Sequence, residues 1–189
     1  MPIRDTSPAR AAQRADADPS ERADGPSLIA VWGEDDGSNT YQLGTREVDW
    51  HSHLRGQVFC VESGFAHVRT PHGSWLLPPH RAGWIPPGEQ HKVSISGALS
   101  GWSVVIAPAA SRRMPDQPCV IAISELMRAL ARRAVSWADQ DRLELEKART
   151  SVVLIEEIRR APHAPLHLLI QSAGRLRGVE GGLRGARRE

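Results

Sequence analysis

Between Ser27 and Pro108 the chain shows no helical period, only short apolar runs cut apart by glycine and proline, and this most narrows what it can fold into. "LIAVW" (28–32) is followed by the partly alternating "TYQLGTREVDWHSH" (40–53) and by "QVFCVES" (57–63), rich in β-branched and aromatic residues. Ser63-Gly64 reads as a tight turn into "FAHVRT" (65–70), and Pro71-His72-Gly73 as another into "SWLLPP". "AGWIPPG", "HKVSIS" and "LSGWSVVIAP" (99–108) complete the set. Short strands with turn signals between them predict an all-β sandwich or barrel over residues 27–118. Trp50, Trp75, Trp84 and Trp102 are expected to fill its core, and Trp84 also to reach a ligand cavity.

The pattern changes after Pro118. Leu126, Met127, Leu130, Ala131, Ala134 and Val135 recur at helical spacing behind Ser124, a suitable N-cap. A second helix, with Asp139 as its expected cap, carries the stripe Leu145, Ala148, Val152, Ile155 and Ile158 and stops before Pro162. Residues 119–168 are therefore expected to form a helical extension, with that stripe as a dimer interface.

The two ends read differently. Residues 1–26 ("MPIRDTSPARAAQRADADPSERADGP") hold almost no large apolar side chain and are expected to be disordered. Residues 169–189 are expected to be a disordered Gly/Arg-rich tail. From Gln171 onward there are five Arg and two Glu, a charge of +3 within a chain whose total is +2. The body is thus near neutral and the basic excess belongs to the tail, so the net charge is too small to argue for nucleic acid by itself. Two cysteines, no secretory leader pattern and no long apolar run give the expectation of a reduced, cytoplasmic chain with no membrane partner.

The chemistry-bearing residues cluster. His51 and His53 stand two apart, so on a strand their imidazoles share a face, and Gln57 has the same parity. His91 follows the rigid Pro86-Pro87-Gly88 turn. If the two hairpins pair, His51, His53, Gln57 and His91 converge, either as metal ligands or as the lining of a metal-free ligand cavity. Three imidazoles and an amide oxygen suit Zn, Ni, Fe or Cu rather than Mg or Ca. Such a set carries no charge, so the ion would favour an anionic ligand.

These motifs resemble those of the cupin family. His51-Ser52-His53, Gln57 and Gly64 stand where its first motif has H-x-H, Glu and Gly, and Pro86-Pro87-Gly88-Glu89-Gln90-His91 stands for its P-x-G-x-x-H. Gln57 replaces the usual Glu, and Ile95 the Asn that ends the second motif. In metal-binding cupins the matching positions are the ligands, which here implies His51, His53, Gln57 and His91. The longer stretch "WHSHLRGQVFCVESGFAHVRTPHGSWLLPPHRAGWIPPGEQHKV" resembles the N-terminal cupin domain of AraC-family regulators, in a branch where Gln is usual at position 57. The resemblance covers about residues 27–168. It implies a small-molecule effector, a homodimer, and DNA contacts made elsewhere by helix-turn-helix motifs. The tail "QSAGRLRGVEGGLRGARRE" has too few large apolar residues to build such a motif, so the chain reads as truncated before its DNA-binding part, and sequence-specific DNA binding is not expected from it alone. No acid/base pair stands beside the histidines, Glu62 and Glu89 reading as solvated acids. A sensor is therefore the expectation, with no catalytic residues. The alternative is a small metal-dependent cupin enzyme, dioxygenase- or isomerase-like, acting on a small anionic substrate.

Overall fold

The computed structural model describes residues 18–34, 45–97, 100–137 and 142–164. A six-stranded sheet runs in the order β1 (Leu28–Glu34), β8 (Ser100–Ile106), β3 (Gly56–Val61), β6 (Arg81–Ile85), β9 (Cys119–Ala122), β10 (His163–Ala164). A four-stranded sheet runs β2 (Thr45–His51), β7 (His91–Ser96), β4 (Phe65–Thr70), β5 (Gly73–Leu77). The paired strands are antiparallel. Three helices follow: the single turn α1 (Pro108–Ser111), then α2 (Glu125–Val135) and α3 (Leu145–Arg160). The mainly β, cupin-like barrel with two following helices is the architecture the sequence predicts.

The large sheet separates two cores. Phe59, Val61 and Ile85 face the barrel interior and meet Val68, Trp75 and Leu77 of the other sheet. Val58, Cys60, Trp84 and Trp102 point the opposite way and pack with Met127 and Ala131 of α2 and Leu154 and Ile158 of α3. Because both its faces are covered, β3 reads as an almost unbroken apolar run, whereas β4, with one face wet, alternates. Ser124 caps α2 as expected, its side chain accepting from Met127 N at 3.0 Å. Gly64 takes φ +69° in the β3–β4 turn, where an added Cβ would lie 2.3 Å from the Ser96 carbonyl oxygen.

The structure departs from the sequence reading at several points. Trp50 is half exposed, since it lies within the bulge of β2. Cys119–Ala122 was expected in the helical extension, yet it pairs with β6 and belongs to the barrel sheet. The segment from Asp18 to Pro26, expected to be disordered, is held in place. Its backbone carbonyls at Arg22 and Pro26 each accept from the buried Arg55 guanidinium at 2.7 Å, and that of Asp24 accepts from it too. Composition favours disorder, but one buried cation distant in sequence supplies the missing partners. The α3 stripe is also offset. Ser151, Leu154 and Ile158 are the buried positions, and Ile155 packs against the same core. Ile155 and Ile158 thus serve the protein's own interior rather than a dimer seam, and Ala148 is only partly exposed. Leu145 and Val152 do face solvent. The expected cap Asp139, residues 1–17 and the tail 169–189 lie outside the described residues; α3 begins at Leu145 after Glu144.

Candidate functional site

Three backbone devices bring the histidines together. β2 pairs with β7 in regular register up to Val48, then a bulge shifts the register so that His51 stands opposite His91. The Pro86-Pro87-Gly88 turn, with Gly88 at φ +78°, delivers the chain into His91. Its Gly88 N donates to the His53 carbonyl at 2.9 Å, tying the second motif to the first. The ring centroids stand 4.1 Å apart for His51 and His91, 5.0 Å for His53 and His91 and 6.0 Å for His51 and His53.

Each imidazole is anchored through Nδ1 to a backbone carbonyl: His51 to Asp49 at 2.7 Å, His53 to Arg55 at 2.5 Å, His91 to Glu89 at 2.9 Å. A carbonyl only accepts, so Nδ1 carries a proton in all three, and in the neutral ring Nε2 keeps its lone pair. This is the orientation in which a backbone partner fixes a metal-ligating histidine. His91 Nε2 is buried with no hydrogen-bond partner. Burial is the main influence that lowers the His91 pKa to about 4, with the neighbouring His51 and His53 acting the same way and the bond to Glu89 opposing it. The ring is therefore neutral at physiological pH. The ligand atoms of the three residues lie within 4.8 Å of one another. Two nitrogens bound to one tetrahedral ion at about 2.1 Å stand about 3.4 Å apart, so the most widely separated rings would have to approach by roughly 1 Å or a little more.

Gln57 completes the cluster. Its Oε1 faces His53 Nε2 at 3.1 Å, while its Nε2 donates to Ser103 Oγ at 2.9 Å. Oxygen and lone pair are both acceptors, and their separation is that of two neighbouring ligands on one ion. The donor set present fits a transition-metal ion.

His51, His53 and Gln57 also line a cavity of about 430 Å³ with apolar walls from Val31, Val48, Phe59, Val61, Val93 and Ile95. His91 stands behind this wall, fully buried. Asp18 to Glu21, placed by Arg55, border the same cavity. Trp84, expected to reach the ligand cavity, is not among the residues that line it. It lies on the other face of β6, fully buried, with its indole N–H donating to the Pro115 carbonyl at 2.8 Å. Glu62, read as a solvated acid, is mostly buried; it accepts from Trp102 Nε1 at 2.9 Å and pairs with Arg128 of α2. Sequence reasoning missed three residues. Arg55 sits inside the first motif but looks like a surface cation, Glu62 finds its partner 66 positions away, and Ser103 becomes visible only through the β3–β8 register.

No family model matches the chain. A curated relative, the HTH-type transcriptional regulator NimR of Escherichia coli (strain K12), is 29% identical over 127 residues, covering 67% of this chain and 46% of the relative. The chain thus spans about half the length of the curated relative it matches. Among solved structures, an RmlC-like cupin from Shewanella frigidimarina NCIMB 400 aligns with TM-score 0.36 and 20% identity, over 43% of this chain and 67% of that one. Unsaturated fatty acid-bound ToxT from Vibrio cholerae aligns with TM-score 0.44 and 7% identity, over 68% of this chain and 50% of that one. The chain is a cupin-type barrel with a helical extension, similar over two thirds of its length to an HTH-type transcriptional regulator, in keeping with the AraC-family resemblance its motifs carry.

Proposed function

We propose that this chain is the effector-sensing and dimerisation part of an AraC-type transcription regulator. The observation that carries the reading is the histidine cluster opening onto an apolar cavity, in a chain similar to a helix-turn-helix regulator. His51, His53, Gln57 and His91 would hold a transition-metal ion (Zn, Ni, Fe or Cu), with the effector entering the cavity beside it. When bound, the ion supplies a positive charge that no carboxylate among its ligands offsets, which selects an anionic or lone-pair-bearing effector group. The residues themselves orient the site: the three carbonyl anchors fix the ring faces, and the valine-rich walls favour an apolar effector body. Two copies associate through the solvent-facing side of α3, where Leu145, Val152 and Val153 are exposed. Sequence-specific DNA contacts would belong to a helix-turn-helix region. Among the described residues, no helix is long and apolar enough to cross a membrane.

Thermal unfolding in the presence of candidate effectors, with recovery of the small molecule, tests the reading. A sensor is stabilised by its ligand in proportion to occupancy and returns it unchanged. Chemical conversion that depends on His51 would overturn sensing in favour of metal-dependent enzyme chemistry on a small anion, which the same donor set would also serve.

A further inference from the structure

The Gln57 amide presents its two ends to two different neighbours, the oxygen to His53 Nε2 at 3.1 Å and the nitrogen to Ser103 Oγ at 2.9 Å. In the neutral His53 ring Nε2 carries the lone pair, because the one ring proton is on Nδ1 and donates to the Arg55 carbonyl. With no cation between them, the lone pair would be better served by the other end of the amide. The NH2 group would then donate to His53, and the oxygen would accept from the Ser103 hydroxyl. The amide therefore has two orientations, and only one offers the histidine cluster an oxygen. Ser103 supplies what that orientation needs, an acceptor for the amide N–H. The register Phe59↔Ser103 and Gln57↔Val105 places Ser103 diagonal to Gln57 on the cavity face of the sheet.

We propose that Ser103 is a positioning residue for the metal centre: it accepts the Gln57 amide proton and so holds Oε1, rather than the NH2 group, toward the ion. This rests on the metal reading of the site given above. Without the hydroxyl, the amide turns its N–H groups to His53 Nε2 and competes with the ion for that lone pair. A carboxylate in place of the amide has two equivalent oxygens and no competing donor, so it does not depend on Ser103. The dependence on Ser103 is thus a property of the amide, and a merely structural role for the hydroxyl would not reproduce it.

The test is a Zn²⁺ titration of the full chain against a chromogenic chelator, with Co²⁺ visible spectra as a second reading and metal-free thermal unfolding alongside. Ser103→Ala is expected to weaken Zn²⁺ binding by about tenfold or more, as removal of a ligand's supporting partner commonly does. Ser103→Thr, which keeps the hydroxyl, should stay within about threefold of wild type, and so should the effect of Ser103→Ala when made in the Gln57→Glu background. Ser103→Val, isosteric with the Thr variant, gives the same contrast if the Ala variant folds poorly. Equal losses in the Gln57 and Gln57→Glu backgrounds, or no loss in either, would overturn the positioning role while leaving the metal centre standing. A wild type that binds neither Zn²⁺ nor Co²⁺ would instead remove the metal reading, and this proposal with it.

Discussion

His91 is fully buried with an unpartnered Nε2, and its pKa is lowered to about 4 chiefly by that burial. In the unfolded chain the same ring titrates near its ordinary value of 6.5. Protonation therefore favours the unfolded state. The contribution of neutral His91 is complete above about pH 6.5 and is lost as pH falls toward about 4, a change on the order of 3 kcal/mol. Urea unfolding of the metal-free protein should show this acid loss, and His91→Gln should flatten it. A wild-type curve without the loss between those pH values would show that the ring is not buried as described. Gly56 makes a second residue-scale case. A Cβ there would lie 2.2 Å from the Trp84 ring, which is locked in the core and cannot retreat cheaply. Gly56→Ala should therefore cost about 3 kcal/mol, the upper part of the overpacking range, by urea unfolding.

At the scale of elements, two segments owe their form to single side chains. Removing the Ser124 cap leaves an orphan N–H at the start of α2, so Ser124→Ala should lower stability by about 1 kcal/mol. Arg55 holds the Asp18–Pro26 strap by three carbonyls. In Arg55→Met those acceptors lose a charged donor, with an expected cost of about 2–4 kcal/mol. Limited proteolysis should then cut between Asp18 and Pro26 in the variant while wild type resists; equal resistance would place the strap's hold elsewhere. The cap was readable from the sequence because it lies three residues from its partner. The strap was not, because its donor lies some thirty residues away and nothing in a polar, proline-bearing segment announces a buried guanidinium.

For the whole molecule, α3 offers two faces with opposite consequences. Ile158 belongs to the core shared by the large sheet and the helices, whereas Val153 is half exposed beside Leu145 and Leu130, in a groove of about 470 Å³. Val153→Asp should leave a folded protein that is monomeric by light scattering where wild type is dimeric. Ile158→Asp should lose several kcal/mol of stability, because it buries an unpaired carboxylate. A monomeric wild type would remove the proposed dimer, and a well-folded Ile158→Asp variant would contradict the packing of α3.

The sequence by itself determined the elements whose causes are local. Glycine- and proline-marked turns, period-two strands, the Ser124 cap and the spacing of His51, His53 and His91 all follow from neighbours a few residues apart. It also supplied the candidate donors, since parity on a strand and a rigid turn are enough to aim them. Tertiary structure alone decided which face each residue serves. The bulge after Val48 sets His51 against His91, the two-sided burial of the large sheet sends Trp84 away from the cavity, and the register of β3 with β8 brings Ser103 to Gln57. It likewise turned Ile155 and Ile158 inward and seated the strap on Arg55. The physical reason is common to these cases. A hydrophobic period says that a residue is buried, but the partner that buries it, or that satisfies its hydrogen bonds, is chosen by pairings between segments far apart in the chain.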